Sequence, residues 1–382
     1  MKKLVAISAV TGVYAMLHAK KAYAWFGSTH KDILAKALTL LYKTDRNKFY
    51  DFYARYTSIL EKGAVAPDKK GDIDKGSGVH YYCAADAKGK ALSDKNGYYK
   101  NRLGKFSKSA RTLLEENYTC ALSLYKSSRT EQAMYYLGRA AHFIQDIGCV
   151  VHSSGIRYMD RPKNPHCAFE SYAQNKCKAI DSPKSLDRRV LKAYENNLGA
   201  AANRLSKFSS GYASDVLTLD EKTYDRICLA TIPPAQQYTA GLLIRFYEDA
   251  NKNNGNFLLD GKRYTIKNEL TGGYLTYNGR SVFLDSAGNN KGQHFYAVLN
   301  DDGSFSIKCC DGSFISKNFK CALRQKKDCS PAVFRFSALG NRRYRISAGA
   351  CNYKKVVCTD TSGKIKLRRF SPDDMGSIWL VS

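Results

Sequence analysis

YYLGRAAHFIQDIGCVVHSSGIRYMDRPKNPHCAFE, residues 135–170, carries two histidine–carboxylate pairs. His142 and Asp146 are four apart in a stretch, 130–147, whose apolar residues recur at helical spacing, so both side chains face one side of one helix. His166 and Glu170 repeat that spacing. His152 lies between the pairs, beyond the expected helix end. Imidazole and carboxylate groups suit zinc, and an i, i+4 pair sets two of them around one ion. One such pair arises by chance on ordinary helices; two, with a histidine between, form a constellation. Of the seven histidines, His18 falls in the N-terminal segment before Trp25 and His294 on an expected strand, where a structural role is simplest. The others are His30, His80, His142, His152 and His166.

Apolar residues at helical spacing also occupy 29–42, 109–125, 186–206 and 233–250. Thr130 is a candidate cap for the helix over 130–147. Residues 62–80 hold Gly, Pro and Asp and read as a loop. The expected fold class is multidomain α and β: an all-α helical bundle over 25–250, a linker at 251–258 containing NKNNGN, and an all-β unit over 259–382. The all-β unit repeats three times. Tyr264-Thr-Ile266, Phe305-Ser-Ile307 and Tyr344-Arg-Ile346 each open a set of four short apolar runs closing in HFYAVL, VFRFSAL and SIWLVS. Twelve strands in three units resemble the β-trefoil of ricin-B-like and fascin-like domains; a two-sheet sandwich is the competing reading, but it would not require threefold repetition. Trp379 in SIWLVS is similar to the tryptophan of the lectin QxW signature, although a core aromatic is the simpler reading.

Lys2 and Lys3, an apolar run over 4–17 and Ala22-Tyr-Ala24 read as a signal peptide over residues 1–24, so a secreted protein is expected. Twelve cysteines fit export: six precede residue 258 and six follow it, an even split that favours disulfides closed within each part. For Cys167, beside His166, a disulfide is the simpler expectation than metal ligation. No CxxC pair is present, which argues against a zinc ribbon. The formal charge is +27, and residues 259–382 hold 21 basic and 10 acidic residues. Both halves are basic, which points to an anionic partner such as phospholipid head groups, sulfated glycans or nucleic acid.

On these residues the chain resembles the zinc-dependent phospholipase C family of bacterial enzymes, over roughly 25–250. The resemblance implies three Zn2+ ions. One takes Asp68, His80, His142 and Asp146. A second takes Trp25, through the terminal amine and carbonyl freed by signal removal, with His30 and a shared Asp146. A third takes His152, His166 and Glu170 and keeps an open position. It further implies hydrolysis of glycerophospholipids to diacylglycerol and a phosphorylated head group, with Asp68 as the base.

Three departures bear on specificity and architecture. Where choline-binding members place an acidic residue and aromatics, this chain offers Ser28, Lys69 and Ser77, so an anionic membrane surface is the expected partner. The proline usual before the third histidine is absent from GCVVH, 148–152. The clostridial toxins of the family carry a β-sandwich where this chain reads as a trefoil, which would bind a glycan or glycosaminoglycan. A monomer is expected. The chain is also similar to the zinc-dependent single-strand nucleases and 3′-nucleotidases, for which nucleic acid would be the partner. A non-enzymatic lectin or adhesin with a metal-stabilised head is the third reading.

Overall fold

A computed structural model describes residues 27–382 apart from 75–77, 87, 102–103, 158–163, 253–257, 289, 318–322, 326–330, 350–354 and 372–373. Trp25, Ser77 and the signal peptide expected over residues 1–24 lie outside the described residues. The helices are α1 (Gly27–Asp45), α2 (Thr57–Ala64), α3 (Ala110–Lys126), α4 (Thr130–Gly148), α5 (Pro165–Cys177), α6 (Arg188–Asn196), α7 (Leu198–Ser210) and α8 (Glu221–Asn251), with one-turn pieces between them. None of them is long and apolar enough to cross a membrane.

Local chemistry sets several boundaries. Ser109 and Thr112 form a capping box that starts α3. Pro165 occupies the first turn of α5, whose Asn164 cap takes a left-handed conformation and accepts from the Cys167 amide at 3.2 Å. Thr130 is not the cap of α4; that position belongs to Arg129, which makes no capping hydrogen bond, and Thr130 is the first helical residue. The expected helix over 186–206 is broken at Asn197, whose side chain accepts from the Ala200 amide and starts α7 afresh. The last helix begins at Glu221 rather than near Pro233. Asp220 caps it, and it runs through Pro233 and Pro234 because Ile227, Ile232, Ala235 and Leu242 are all buried.

Helices α2 and α4 cross at two glycines. A Cβ on Gly63 would lie 2.1 Å from the Tyr135 carbonyl oxygen, and one on Gly138 2.2 Å from that of Leu60. Only glycine permits this backbone approach, and it sets the end of α2 against the middle of α4.

The C-terminal part is built from β1 (Arg263–Tyr264), β2 (Ile266–Asn268), β3 (Tyr274–Tyr277), β4 (Val282–Asp285), β5 (Phe295–Leu299), β6 (Phe305–Cys309), β7 (Ile315–Lys317), β8 (Leu323–Gln325), β9 (Val333–Gly340), β10 (Arg343–Ala348), β11 (Lys355–Thr359), β12 (Ile365–Arg369) and β13 (Ile378–Val381). Antiparallel pairing runs β1–β5–β6–β9–β10–β13 and returns from β13 to β2, one residue past β1, so the circuit closes. The hairpins β3–β4, β7–β8 and β11–β12 leave this ring once per sequence repeat. Closure removes the exposed edges that an open sheet would present. Trp379 is a core residue: it is 1% exposed and donates its indole N–H to the Val357 carbonyl at 2.8 Å. His294 follows a 3₁₀ turn at the start of β5 and is half-buried.

One continuous apolar cluster runs from Leu34 and Leu137 in the helices to Phe305, Phe336 and Trp379 in the strands. Polar contacts supplement it. Ser337 of β9 donates to Glu116 of α3 at 2.9 Å, and the Arg345 guanidinium lies over the stacked rings of Tyr98 and Phe370. The disulfides expected from the even cysteine split are not found among the described residues. Cys83, Cys120, Cys149, Cys167, Cys177, Cys228, Cys309, Cys310 and Cys358 are free thiols, and all but Cys167 and Cys310 are fully buried. Most of these cysteines behave as small apolar core residues.

Candidate metal centre

Five elements bring the sequence-predicted residues together. His30 projects from the first turn of α1, His142 and Asp146 from α4, and His166 and Glu170 from α5. His152 sits in the single helical turn Val150–Ser153 that follows α4. Asp68 and His80 come from the loop after α2. His142 Nε2 is 3.1 Å from Asp146 Oδ2 and 3.7 Å from Asp68 Oδ1. His80 Nδ1 is 2.8 Å from Asp146 Oδ2, and His30 Nε2 is 3.6 Å from Asp146 Oδ1. His152 bridges Asp146 Oδ1 at 3.2 Å and Glu170 Oε1 at 3.1 Å, while His166 Nε2 meets Glu170 Oε2 at 3.1 Å. The eight residues thus form one chain of contacts centred on Asp146.

The imidazoles are oriented from outside the cluster. His142 Nδ1 is 2.8 Å from the Ala64 carbonyl, and His166 Nδ1 is 2.7 Å from the Ile156 carbonyl. A carbonyl only accepts, so each Nδ1 carries the proton and each Nε2 presents its lone pair inward, as metal-binding histidines require. His30 Nδ1 is held in the same way by Gln145 Oε1 at 2.6 Å.

Three acids and five imidazoles share a site closed on most sides. The His30, Asp146 and Glu170 side chains are fully buried, whereas Asp68 and His80 retain 9% and 17% exposure and mark the open edge. Burial drives His30 well below its ordinary pKa, helped by the neighbouring His142. Burial pushes Asp68 well above the carboxylate range against the pull of His80. For Asp146 burial acts upward too, but His142, His152 and His80 outweigh it and hold the carboxyl well below its usual value. Burial would lower His152, yet Asp146 and Glu170 lift it to about 10.

Two groups of ligand atoms within 4.8 Å of one another occur at His30, His142 and Asp146 and at Asp68, His80 and His142; a third joins Cys149, His152 and Glu170. Both Asp68 oxygens are buried without a hydrogen-bond donor, and the two oxygens of Glu170 face only the imidazole nitrogens of His152 and His166. Buried carboxylate oxygens left in this way fit a divalent cation as the missing partner. The nitrogen and oxygen donors suit zinc.

The profile of the family described as "Zinc dependent phospholipase C" matches residues 29–218. Through its helical domain, the chain belongs to this family. The match spans the eight clustered residues and ends before the β part. Among solved structures, alpha-toxin of Clostridium perfringens from avian strain SWCP is 17% identical, with a TM-score of 0.50 over 90% of this chain and 96% of that one. Alpha toxin of Clostridium absonum is 14% identical, with a TM-score of 0.52 over 92% and 95%. At these identities the likeness is one of fold. A ricin B-like lectin of Macrolepiota procera aligns with 32% of this chain and 96% of its own, at 14% identity and a TM-score of 0.28, and carries no inference. No curated protein matches the sequence.

As a zinc-dependent phospholipase C, the chain shows site residues that motif spacing does not reveal. Gln145 is one position before Asp146, and its role appears only once His30, 115 residues away, is folded against it. Cys149, expected in a disulfide, instead stands beside His152 and Glu170 as a free thiol. Tyr81, next to His80, stacks on Tyr99, and its hydroxyl lies 3.5 Å from His166 Nδ1. An aromatic following a candidate ligand is the only sequence signal for it.

Proposed function

We propose that this zinc-dependent phospholipase C is a secreted enzyme acting on anionic glycerophospholipids, with three zinc ions held by Trp25, His30, Asp68, His80, His142, Asp146, His152, His166 and Glu170. The observation that carries the reading is the convergence of eight of these residues on one buried cluster with an open edge at Asp68 and His80. When bound, the zinc ions would neutralise the phosphate oxygens and lower the pKa of water toward about 7.

The protein residues then have distinct tasks. The Ala64 and Ile156 carbonyls fix His142 and His166 with Nε2 inward. Gln145 does the same for His30. Asp68, at the open edge, takes the proton of the attacking water. Water attacks phosphorus, the bond to the glycerol oxygen breaks with its electron pair left on that oxygen, and the oxygen takes a proton from solvent at the open edge, giving diacylglycerol and a phosphorylated head group. Lys69 is exposed beside Asp68 and opposes a cationic head group, which supports an anionic one.

We read the closed ring with three hairpins as a β-trefoil that holds the enzyme to an anionic glycan or lipid surface. Arg368 and Arg369 on β12 are exposed, and the whole chain is strongly basic. The test is to assay mature protein against vesicles of graded phosphatidylserine and phosphatidylcholine content and against single-stranded DNA, each with and without chelator. Chelator-sensitive diacylglycerol release that rises with anionic lipid is expected. Chelator-sensitive DNA cleavage without diacylglycerol release would replace this reading with that of a nuclease, and activity on neither would leave the lectin reading.

A further inference from the structure

The loop that supplies Asp68 and His80 is anchored between those two residues by a buried ion network, and one of its cations comes from the β part. Arg139 lies on α4, three residues before His142. Its Nη1 and Nη2 each bond an oxygen of Asp72 at 2.7 Å, and Nη2 also meets Asp74 Oδ2 at 2.6 Å. The other oxygen of Asp74 accepts from Arg335 Nη1 of β9 at 2.7 Å, across 261 residues of sequence. Asn117 of α3 donates to Asp74 at 3.1 Å and accepts from Arg139 at 3.0 Å. The Asp74, Arg139 and Arg335 side chains are 2%, 1% and 4% exposed.

The segment between Asp68 and Asp74 is short and internally tied. The Lys69 amide donates to the Ala66 carbonyl, the Asp72 amide to the Lys69 carbonyl, and the Asp74 amide to the Asp72 side chain at 2.8 Å. A shift of Asp74 therefore has little slack to absorb before it reaches Asp68. Removing one member of a buried ion network leaves the other charge poorly compensated, so the segment moves to regain partners.

We propose that Arg335 is a positioning residue for the metal centre: by gripping Asp74 it makes the β part a structural component of the site formed by Asp68, His80 and His142. This rests on the reading of Asp68 and His80 as metal ligands. It gives the β part a task besides surface attachment, and it makes the helical domain alone a weaker zinc protein than the full chain.

The experiment is the rate of zinc release from the full-length protein to a chromophoric chelator, for wild type, R335Q, R335K, D74N, the double variant R335Q/D74N, and S337A. Ser337 touches Glu116 on the same interface but not the ligand loop. R335Q is expected to release zinc about tenfold faster, the lower end of what outer-shell partners contribute. R335K should recover part of this, S337A should match wild type, and R335Q should add nothing in the D74N background. Wild-type release rates in R335Q, or equal acceleration in S337A and R335Q, would overturn the proposal. If R335Q does not fold, the comparison of R335K and D74N with S337A decides it: either of the first two must release faster. A wild-type chain that binds no zinc would instead remove the ligand reading beneath it.

Discussion

His142 Nδ1 donates to the carbonyl of Ala64 at 2.8 Å, and this bond ties the histidine–carboxylate cluster to the glycine crossing of α2 and α4. Ala64 ends α2 immediately after Gly63, which meets Gly138 one turn before His142 on α4. Helix approach and ligand orientation are therefore one geometric fact. The Gly138→Ala variant must push its methyl against the Leu60 carbonyl oxygen. It is expected to destabilise the protein by about 1–3 kcal/mol and to weaken zinc binding as well. Calorimetry of the metal-free chain and zinc competition check the two parts; wild-type values in both would break the link.

Gln145 orients His30 through its Oε1. Gln145→Leu removes the acceptor while roughly keeping the volume, and should lower zinc affinity by about 10- to 100-fold. Gln145→Glu keeps an acceptor and should lose less. Equal affinities for all three proteins in a chelator competition would show that His30 needs no such support.

Asp74 is buried, which alone would raise its pKa, but Arg335 and Arg139 hold it far below the ordinary carboxylate range. A carboxyl depressed on folding contributes stability that is complete above its unfolded pKa of about 4 and is lost as pH falls below that value. Thermal midpoints should therefore fall more steeply between about pH 5 and pH 3 in wild type than in D74N. D74N should also be the less stable protein at pH 7. Parallel midpoint curves for the two would contradict the burial of a charged Asp74.

The sequence made the histidine–carboxylate cluster legible because helical spacing is a local rule. His142 with Asp146 and His166 with Glu170 need only a helix to share a face. The threefold strand repeat was legible for the same reason, since each unit contains its own hairpin. Features that depend on distant partners were not. Arg335 is one of many basic residues until Asp74 meets it. Asn197 reads as an ordinary polar residue on a long helix until its side chain caps α7. The prolines at 233 and 234 suggest a helix start, but burial on either side of them carries α8 through. The cysteine count suggested disulfides, whereas packing uses most of the described thiols as apolar filler.

Glu170 is fully buried between His152 and His166, whereas His80 contacts Asp146 and is 17% exposed. Glu170→Gln should therefore release the ion nearest His152 while leaving those near Asp146 in place. Diacylglycerol release should fall by at least about 100-fold, given that outer-shell changes alone reach that size. Retained activity in this variant would remove Glu170 from the working site.

The most direct measurement is the zinc content of the purified protein, taken by elemental analysis beside Glu170→Gln. Three zinc ions per wild-type chain and two in the variant are the expected values. A chain purified in zinc-containing buffer that carries none, or one whose zinc content the substitution leaves unchanged, would contradict the metal centre.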